Sequence, residues 1–210
     1  MTQNPPAATH ELPRFGDRRH IRVGLLGGSF NPAHDGHLHV AAMARRRLRL
    51  DQVWLLVSPG NPLKPRAGMA PLAERLASAR RLADGRRVVA TGIEAALRTR
   101  YTVDTMRALR RRFPRVAFVW IMGADLLTQL PHWHRWTEIT RDLAFVVLPR
   151  PGYTYRALAG QAAHRLGASR RPARAAVLLP GHSPGWVFLP GPQTGLSATA
   201  IRQAAERNVP

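Results

Sequence analysis

The sequence predicts an α/β fold: one open parallel sheet with helices on both faces. Three observations lead there. The 210 residues are 45% apolar, enough for one sizeable core. From residue 22 onward, short apolar runs alternate with longer helical patterns. Several of those runs are apolar almost throughout, as strands covered on both faces are, rather than at every second position.

The strand-like runs are 22–26 (RVGLL), 53–57 (VWLLV), 87–91 (RVVAT), 116–122 (VAFVWIM), 143–148 (LAFVVL), 175–179 (AAVLL) and a short 186–189 (WVFL). Between them, 36–49, 72–83, 102–112, 155–166 and 198–206 have helical character. Such alternation implies right-handed crossovers, with ligands bound beyond the carboxyl ends of the strands. Residues 167–174 (GASRRPAR) read as an exposed loop, and 181–195 as a Gly/Pro-rich winding around one brief strand. Residues 1–20 lack an apolar signal core and read as a disordered tail before a single domain over 21–210. No apolar run approaches the roughly 18–20 residues that span a membrane.

Thirty-two basic residues against twelve acidic ones give a net charge of +20, and Lys64 is the only lysine. A balance this basic suits an anionic partner, nucleic acid among them, although an Arg-rich composition gives the same total. The absence of cysteine excludes disulfide frameworks, Cys-ligated zinc and cysteine nucleophiles.

The first strand runs into Gly27-Gly28-Ser29-Phe30-Asn31-Pro32-Ala33-His34-Asp35-Gly36-His37 and then a helix. Glycines at a strand end let a ligand approach bare backbone, and the following helix N-terminus suits phosphate. His34 and His37, three apart, share one face of the opening turn. The spacing fits neither GxGxxG nor a P-loop. A metal site from His34, His37 and His39 lacks a carboxylate at a matching offset, so no metal ligand is assigned.

This string resembles the [ST]-F-[DN]-P-x-H-x-G-H motif of the nucleotidylyltransferase α/β superfamily. The resemblance implies a Rossmann-like nucleotidylyltransferase fold, with Gly27, Gly28, Ser29 and Phe30 meeting ATP. It also implies that His34 and His37 stabilise charge during attack on the α-phosphorus. Near the other end, Gly195-Leu196-Ser197-Ala198-Thr199-Ala200-Ile201-Arg202 follows a Gly/Pro loop. Taken alone it fits a capped helix, with Ser197 as N-cap and Thr199 and Arg202 on one face. Beside the first motif it resembles ISSTxIR, with Leu196 and Ala198 as departures. By that resemblance Ser197 and Thr199 bind ATP, and Arg202 joins the catalytic set.

Three middle segments narrow the resemblance to the bacterial nicotinate-nucleotide adenylyltransferase family. They are Glu94 with Tyr101-Thr102-Val103-Asp104-Thr105, then Gly123-Ala124-Asp125 with Trp133 and Trp136, then VVLPRPG over 146–152. Together they look like E…SYTxDT, GADxLxxLxxWxxW and VxxRPG, and the likeness spans about 22–207. The resemblance implies that Gly123 and Asp125 flank the ribose of ATP. It places Lys64, Tyr101, Thr102 and Trp133 around nicotinate mononucleotide, and leaves Trp136 to the core. Arg100 stands where the family often has Ser, and Asn61-Pro62-Leu63-Lys64 where it has PPHK.

The implied reaction joins ATP and nicotinate mononucleotide to give deamido-NAD and pyrophosphate in NAD biosynthesis, in the cytoplasm. Mg²⁺ arrives with ATP, and no nucleic acid or membrane takes part. A sister enzyme acting on nicotinamide mononucleotide or phosphopantetheine is the alternative. A basic nucleic-acid-binding protein is the rival from another class. Against it, the arginine runs at 45–47 and 110–112 fall late in helices, where cations complement the dipole.

Overall fold

The structure, a computed structural model, describes residues 12, 20–60, 68–193, 198 and 202. Seven parallel strands form one sheet: β1 (Arg22–Gly28), β2 (Gln52–Val57), β3 (Val88–Thr91), β4 (Ala117–Gly123), β5 (Phe145–Leu148), β6 (Arg170–Arg171) and β7 (Trp186–Phe188). Their order is β3-β2-β1-β4-β5-β7-β6. The chain builds outward from β1 in one direction, then returns and builds outward in the other.

Both faces of the sheet are apolar, and the side chains still alternate. Val23, Leu25, Trp54, Leu56, Phe118, Trp120, Met122, Phe145 and Val147 belong to one core. Leu26, Val53, Leu55, Val57, Val119, Ile121, Val146 and Leu148 belong to the other. The period of two therefore persists inside runs whose composition hides it.

The first core is covered by α3 (Ile93–Ala96), α4 (Thr102–Arg112), α5 (Ala124–Gln129), α7 (Thr154–Leu158) and α8 (Gln161–Arg165). The second is covered by α1 (Asp35–Leu48), α2 (Leu72–Leu82) and a 3₁₀ segment, Ala173–Leu178. Short α6 (Trp136–Asp142) packs beside α4. No described helix is long and apolar enough to cross a membrane.

Three expectations change. The strand expected at 175–179 is the 3₁₀ segment. Five apolar residues carry no period that separates strand from helix, and here Pro172 sets an extended entry to a tight turn. The helix expected at 155–166 is two helices, α7 and α8, because Gly160 between them is extended at φ −82°, ψ 169°. The loop expected at 167–174 contains edge strand β6, which pairs with β7 through Arg170 and Arg171. Of the helix expected at 198–206, Ala198 and Arg202 are described and helical.

The register of the sheet makes the site. Pairing of β1 with β4 ends at Leu26–Ile121. Beyond that point β1 continues beside β2 to Gly28–Val57, and β4 continues beside β5 to Gly123–Leu148. The sheet therefore parts at its centre, where the strand order reverses, and leaves a crevice beyond the strand ends.

Candidate active site

The parting opens into a crevice of about 560 Å³, within the usual range for small-molecule sites. Its lining includes Gly27, Gly28, Ser29, Phe30, His34 and His37 from the β1 end, and Gly123 and Asp125 from the β4 end. Tyr101, Thr102 and Trp133 line it as well. Eleven of the residues expected from the sequence thus face one cavity. Lys64, Ser197 and Thr199 lie outside the described residues.

Gly27 lets β1 pass the floor of the crevice: a Cβ there would come within 2.8 Å of the Trp120 ring. Gly123 is constrained by Asp125, whose Oδ1 occupies the place where a Cβ would stand. The Asp125 side chain thus folds back over the strand end from the first turn of α5. Phe30 has φ 47° and is 1% exposed. It packs in the second core with its ring 4.7 Å from that of His37, so it supports the histidine from below.

His34 occupies the N-cap of α1 and His37 the third helical position. The His34 N–H donates to His37 Nδ1 at 3.1 Å, and the His37 N–H donates to the His34 carbonyl at 2.8 Å. A backbone N–H can only donate, so Nδ1 of His37 carries no proton and the neutral ring is protonated at Nε2. Burial, the His34 ring and the charge of Arg150 hold His37 down to about 3, against one opposing hydrogen bond from the His34 backbone. At neutral pH His37 is therefore a neutral donor. His34 is also held below its usual value, by burial and then by Arg150, with Asp35 opposing. Its Nδ1 is buried without a hydrogen-bond partner, and the two rings lie 3.9 Å apart.

Arg202 reaches this loop from the last described residues, donating from Nη1 to the Asn31 carbonyl at 2.5 Å. The Asn31 side chain donates to the Gly68 carbonyl and accepts from the Ala70 N–H. Thr102 is the first residue of α4; Tyr101 holds the N-cap position with no side-chain cap, so Thr102 is not a cap. The Asp104 and Thr105 N–H groups are satisfied by the Tyr101 carbonyl, which leaves the first-turn N–H groups of Thr102 and Val103 directed beyond the helix end. Trp133 meets Trp120 edge-on at 6.1 Å, and the Tyr101 ring lies 4.4 Å from that of His134. Trp136 packs partly buried against the first core, with the Arg165 guanidinium over its ring.

Sequence reasoning gave no role to two crevice residues. Arg150 follows β5 and lines the crevice, and its charge bears on both histidines. Its only sequence signal was its place in VVLPRPG. Glu94 also lines the crevice; burial raises its carboxyl above the usual range, against hydrogen bonds from Thr105 and Ser58. Thr105 Oγ1 lies 3.1 Å from its Oε1. No group of three or more His, Asp or Glu among the described residues is placed to hold a metal ion.

A parallel sheet parted beside its first strand, with a two-glycine turn and a histidine pair at the parting, defines an α/β nucleotide-transferring class. The cytidylyltransferase-like family model matches residues 25–204. A probable nicotinate-nucleotide adenylyltransferase from Gluconacetobacter diazotrophicus is 58% identical over 197 residues, covering 93% of this chain and 92% of its own. Those from Gluconobacter oxydans and Parvibaculum lavamentivorans are 57% and 54% identical, over 89% and 87% of this chain and 96% and 92% of their own. The chain belongs to the nicotinate-nucleotide adenylyltransferase family. Among solved structures, Plasmodium falciparum nicotinic acid mononucleotide adenylyltransferase, complexed with NaAD, has the same fold. Its TM-score is 0.63 at 14% identity, over 88% of this chain and 83% of that one.

Proposed function

We propose that this chain transfers the adenylyl group of ATP to nicotinate mononucleotide, giving deamido-NAD and pyrophosphate in NAD biosynthesis. The observation that carries the reading is 58% identity over 93% of the chain to a relative named for this activity. The residues gathered at the parted sheet agree with it. The unit responsible is the single domain over 21–210, acting in the cytoplasm on small phosphorylated substrates.

The nucleophile is the acceptor's own phosphate, ionised at neutral pH, so the protein has no proton to remove. Its work is to hold two anions in line and to stabilise charge that moves onto the departing pyrophosphate. His37 donates from Nε2–H to an oxygen of the transferring phosphate. His34 offers a second ring beside it, and Arg150 and Arg202 supply positive charge at either side of the loop. A neutral donor in a partly buried crevice suits this task, because it needs no counter-ion before substrate arrives. Gly27, Gly28 and Ser29 bring bare backbone to the phosphates, Phe30 props the histidine, and Ser197 and Thr199 complete the polyphosphate end.

Asp125 makes no described side-chain hydrogen bond and is free to accept from ribose hydroxyls beside Gly123. Across the crevice, the open N–H groups of Thr102 and Val103 meet the nicotinate carboxylate, which accepts at both oxygens. An amide offers a donor at one of these positions, and this favours the acid. Tyr101 and Trp133 enclose the pyridine ring, an electron-poor partner for an indole face. Lys64 serves the acceptor's phosphate. ATP enters as its Mg²⁺ complex, so the metal belongs to the substrate.

Pyrophosphate release is the test, run with ATP and, in turn, nicotinate mononucleotide, nicotinamide mononucleotide and phosphopantetheine. The first acceptor should turn over best. Equal or faster turnover of either competitor would overturn the named substrate.

A further inference from the structure

Arg75, on α2, is 2% exposed and forms no ion pair with any described carboxylate. Its guanidinium is held by three backbone carbonyls. Nε donates to Ala70 at 2.8 Å, and Nη1 donates to Ser29 at 2.8 Å and to Ser58 at 2.7 Å. Burial lowers its pKa, yet a guanidinium stays charged even so. A buried cation without a counter-ion is costly, and three carbonyl dipoles are the compensation it has found.

The position of those carbonyls gives the arrangement its meaning. Ser29 and Ser58 are the first residues after β1 and β2, whose last paired residues are Gly28 and Val57. The Ser58 N–H also donates to the Gly28 carbonyl. One guanidinium nitrogen therefore ties the two strand ends together one step beyond the sheet, outside the crevice lining. Ser29 and Ser58 line the crevice and Arg75 does not. In a trans peptide the carbonyl and the following N–H point in opposite directions. Anchoring the Ser29 carbonyl on Arg75 turns the Phe30 N–H the other way, and that N–H has no hydrogen-bond partner among the described residues. The positive φ of Phe30 belongs to the same local geometry.

We propose that Arg75 is a positioning residue for adenylyl transfer: by clamping the Ser29 and Ser58 carbonyls it fixes the Ser29–Phe30 peptide with its N–H presented to substrate phosphate. Its charge, met by carbonyl dipoles and by no described carboxylate, also favours an anion on the far side of that peptide. The inference deepens the adenylyltransferase reading and rests on it. Three neighbouring hydrogen bonds brace the same loop, one from the Ala33 N–H to Ser78 Oγ and two between the Asn31 side chain and residues 68–70, so Arg75 belongs to a wider support.

The test compares Arg75→Lys and Arg75→Met with the wild type and with Val187→Ala, a core change remote from the loop. Folding is read first by circular dichroism at 10 °C, then kcat and KM for ATP and for nicotinate mononucleotide. Lys keeps the charge but lacks the Nε donor to Ala70 and the planar fork that fixes one nitrogen between Ser29 and Ser58, and Met keeps only volume. Displacing a reacting group by ~1 Å costs on the order of 10²-fold, so kcat should fall about 10–100-fold in Arg75→Lys and further in Arg75→Met. KM should stay within about threefold, and methylguanidinium should restore part of the loss in an Arg75→Ala protein. Val187→Ala should lower Tm and leave kcat alone. A folded Arg75→Lys or Arg75→Met protein with kcat within twofold of wild type overturns the proposal, and so does failure of all three Arg75 variants to fold. If the wild type itself releases no pyrophosphate with any acceptor, the functional reading fails. Arg75 is then judged by NMR: ATP should shift the Phe30 amide resonance in the wild type and shift it less in Arg75→Lys, and equal shifts overturn the inference.

Discussion

Removing the His37 imidazole tests whether this site works with a neutral donor. In the structure Nδ1 accepts the His34 N–H, and Nε2–H is the remaining donor of a ring that lines the crevice, so two variants separate the two nitrogens. His37→Asn keeps a short acceptor for the His34 N–H and loses the distal donor. His37→Gln reaches further and retains an N–H near the Nε2 position. Losing one preorganised donor to developing charge costs ~10²–10³ in kcat, or roughly 2.7–4 kcal/mol of barrier. His37→Asn should show that full loss, and His37→Gln should recover part of it.

The same structure fixes the pH behaviour. His37 is lowered from 6.5 to about 3, so its charge does not change between pH 5 and 8, and wild-type kcat should be flat there on its account. Stability moves in the opposite sense to a salt-bridged histidine. Between pH 6.5 and about 3 the unfolded chain carries a proton at this position that the native chain refuses. The favourable contribution is whole above pH 6.5 and is lost as pH falls, on the order of 5 kcal/mol across the window at ~1.4 kcal/mol per unit. Urea titrations from pH 7 to pH 4 should therefore show a steep decline in wild type that is shallower in His37→Asn. Stopped-flow pyrophosphate release over the same range gives kcat. An inflection in wild-type kcat near pH 6–7 that disappears in His37→Asn would mean that an imidazolium does the work, and the neutral-donor argument would be refuted.

Other outcomes follow from single contacts. Arg150→Met removes a cation whose charge lowers both histidines; kcat/KM should fall about 10²-fold, and NMR titration should show the His34 and His37 values moving up. Gly27→Ala drives a methyl to within 2.8 Å of buried Trp120, so urea denaturation should report a loss of roughly 1–3 kcal/mol, with weaker ATP binding. Asp84 lies before β3, where burial pushes its carboxyl up but N–H groups of Val88, Arg86 and Arg87 together hold it below the usual range. Its contribution is present above about pH 4 and lost as pH falls through its lower native value, so Asp84→Ala should cost about 1–3 kcal/mol at pH 7 and less at pH 3.

The parallel sheet was legible because runs such as VWLLV and VAFVWIM are rich in β-branched and aromatic residues and alternate with helical patterns, as strands covered on both faces do. The β1 loop was legible because its crevice-lining residues all fall within one short string, from Gly27 to His37. Residues 175–179 misled because five apolar residues have no period, and 155–166 because the extended conformation at Gly160 leaves no trace in the helical pattern around it. Arg75 could not be read at all. Its role depends on carbonyls of residues 29, 58 and 70, and a carbonyl belongs to every residue type. Arg150 stands in the VVLPRPG string, but its bearing on the histidines requires the end of β5 to stand near the end of β1. That is a property of strand order, not of spacing along the chain.

The bond from Arg202 to the Asn31 carbonyl joins positions 171 residues apart. Synthesis delivers Asn31 well before Arg202. Until then the glycine turn and the histidine pair exist without one of their supports, and β1 lacks its β4 neighbour until residue 117 has emerged. The loop after β1 is thus made long before Arg202 reaches it, so a nascent chain can pair β1 with β2 well before that loop has all its contacts.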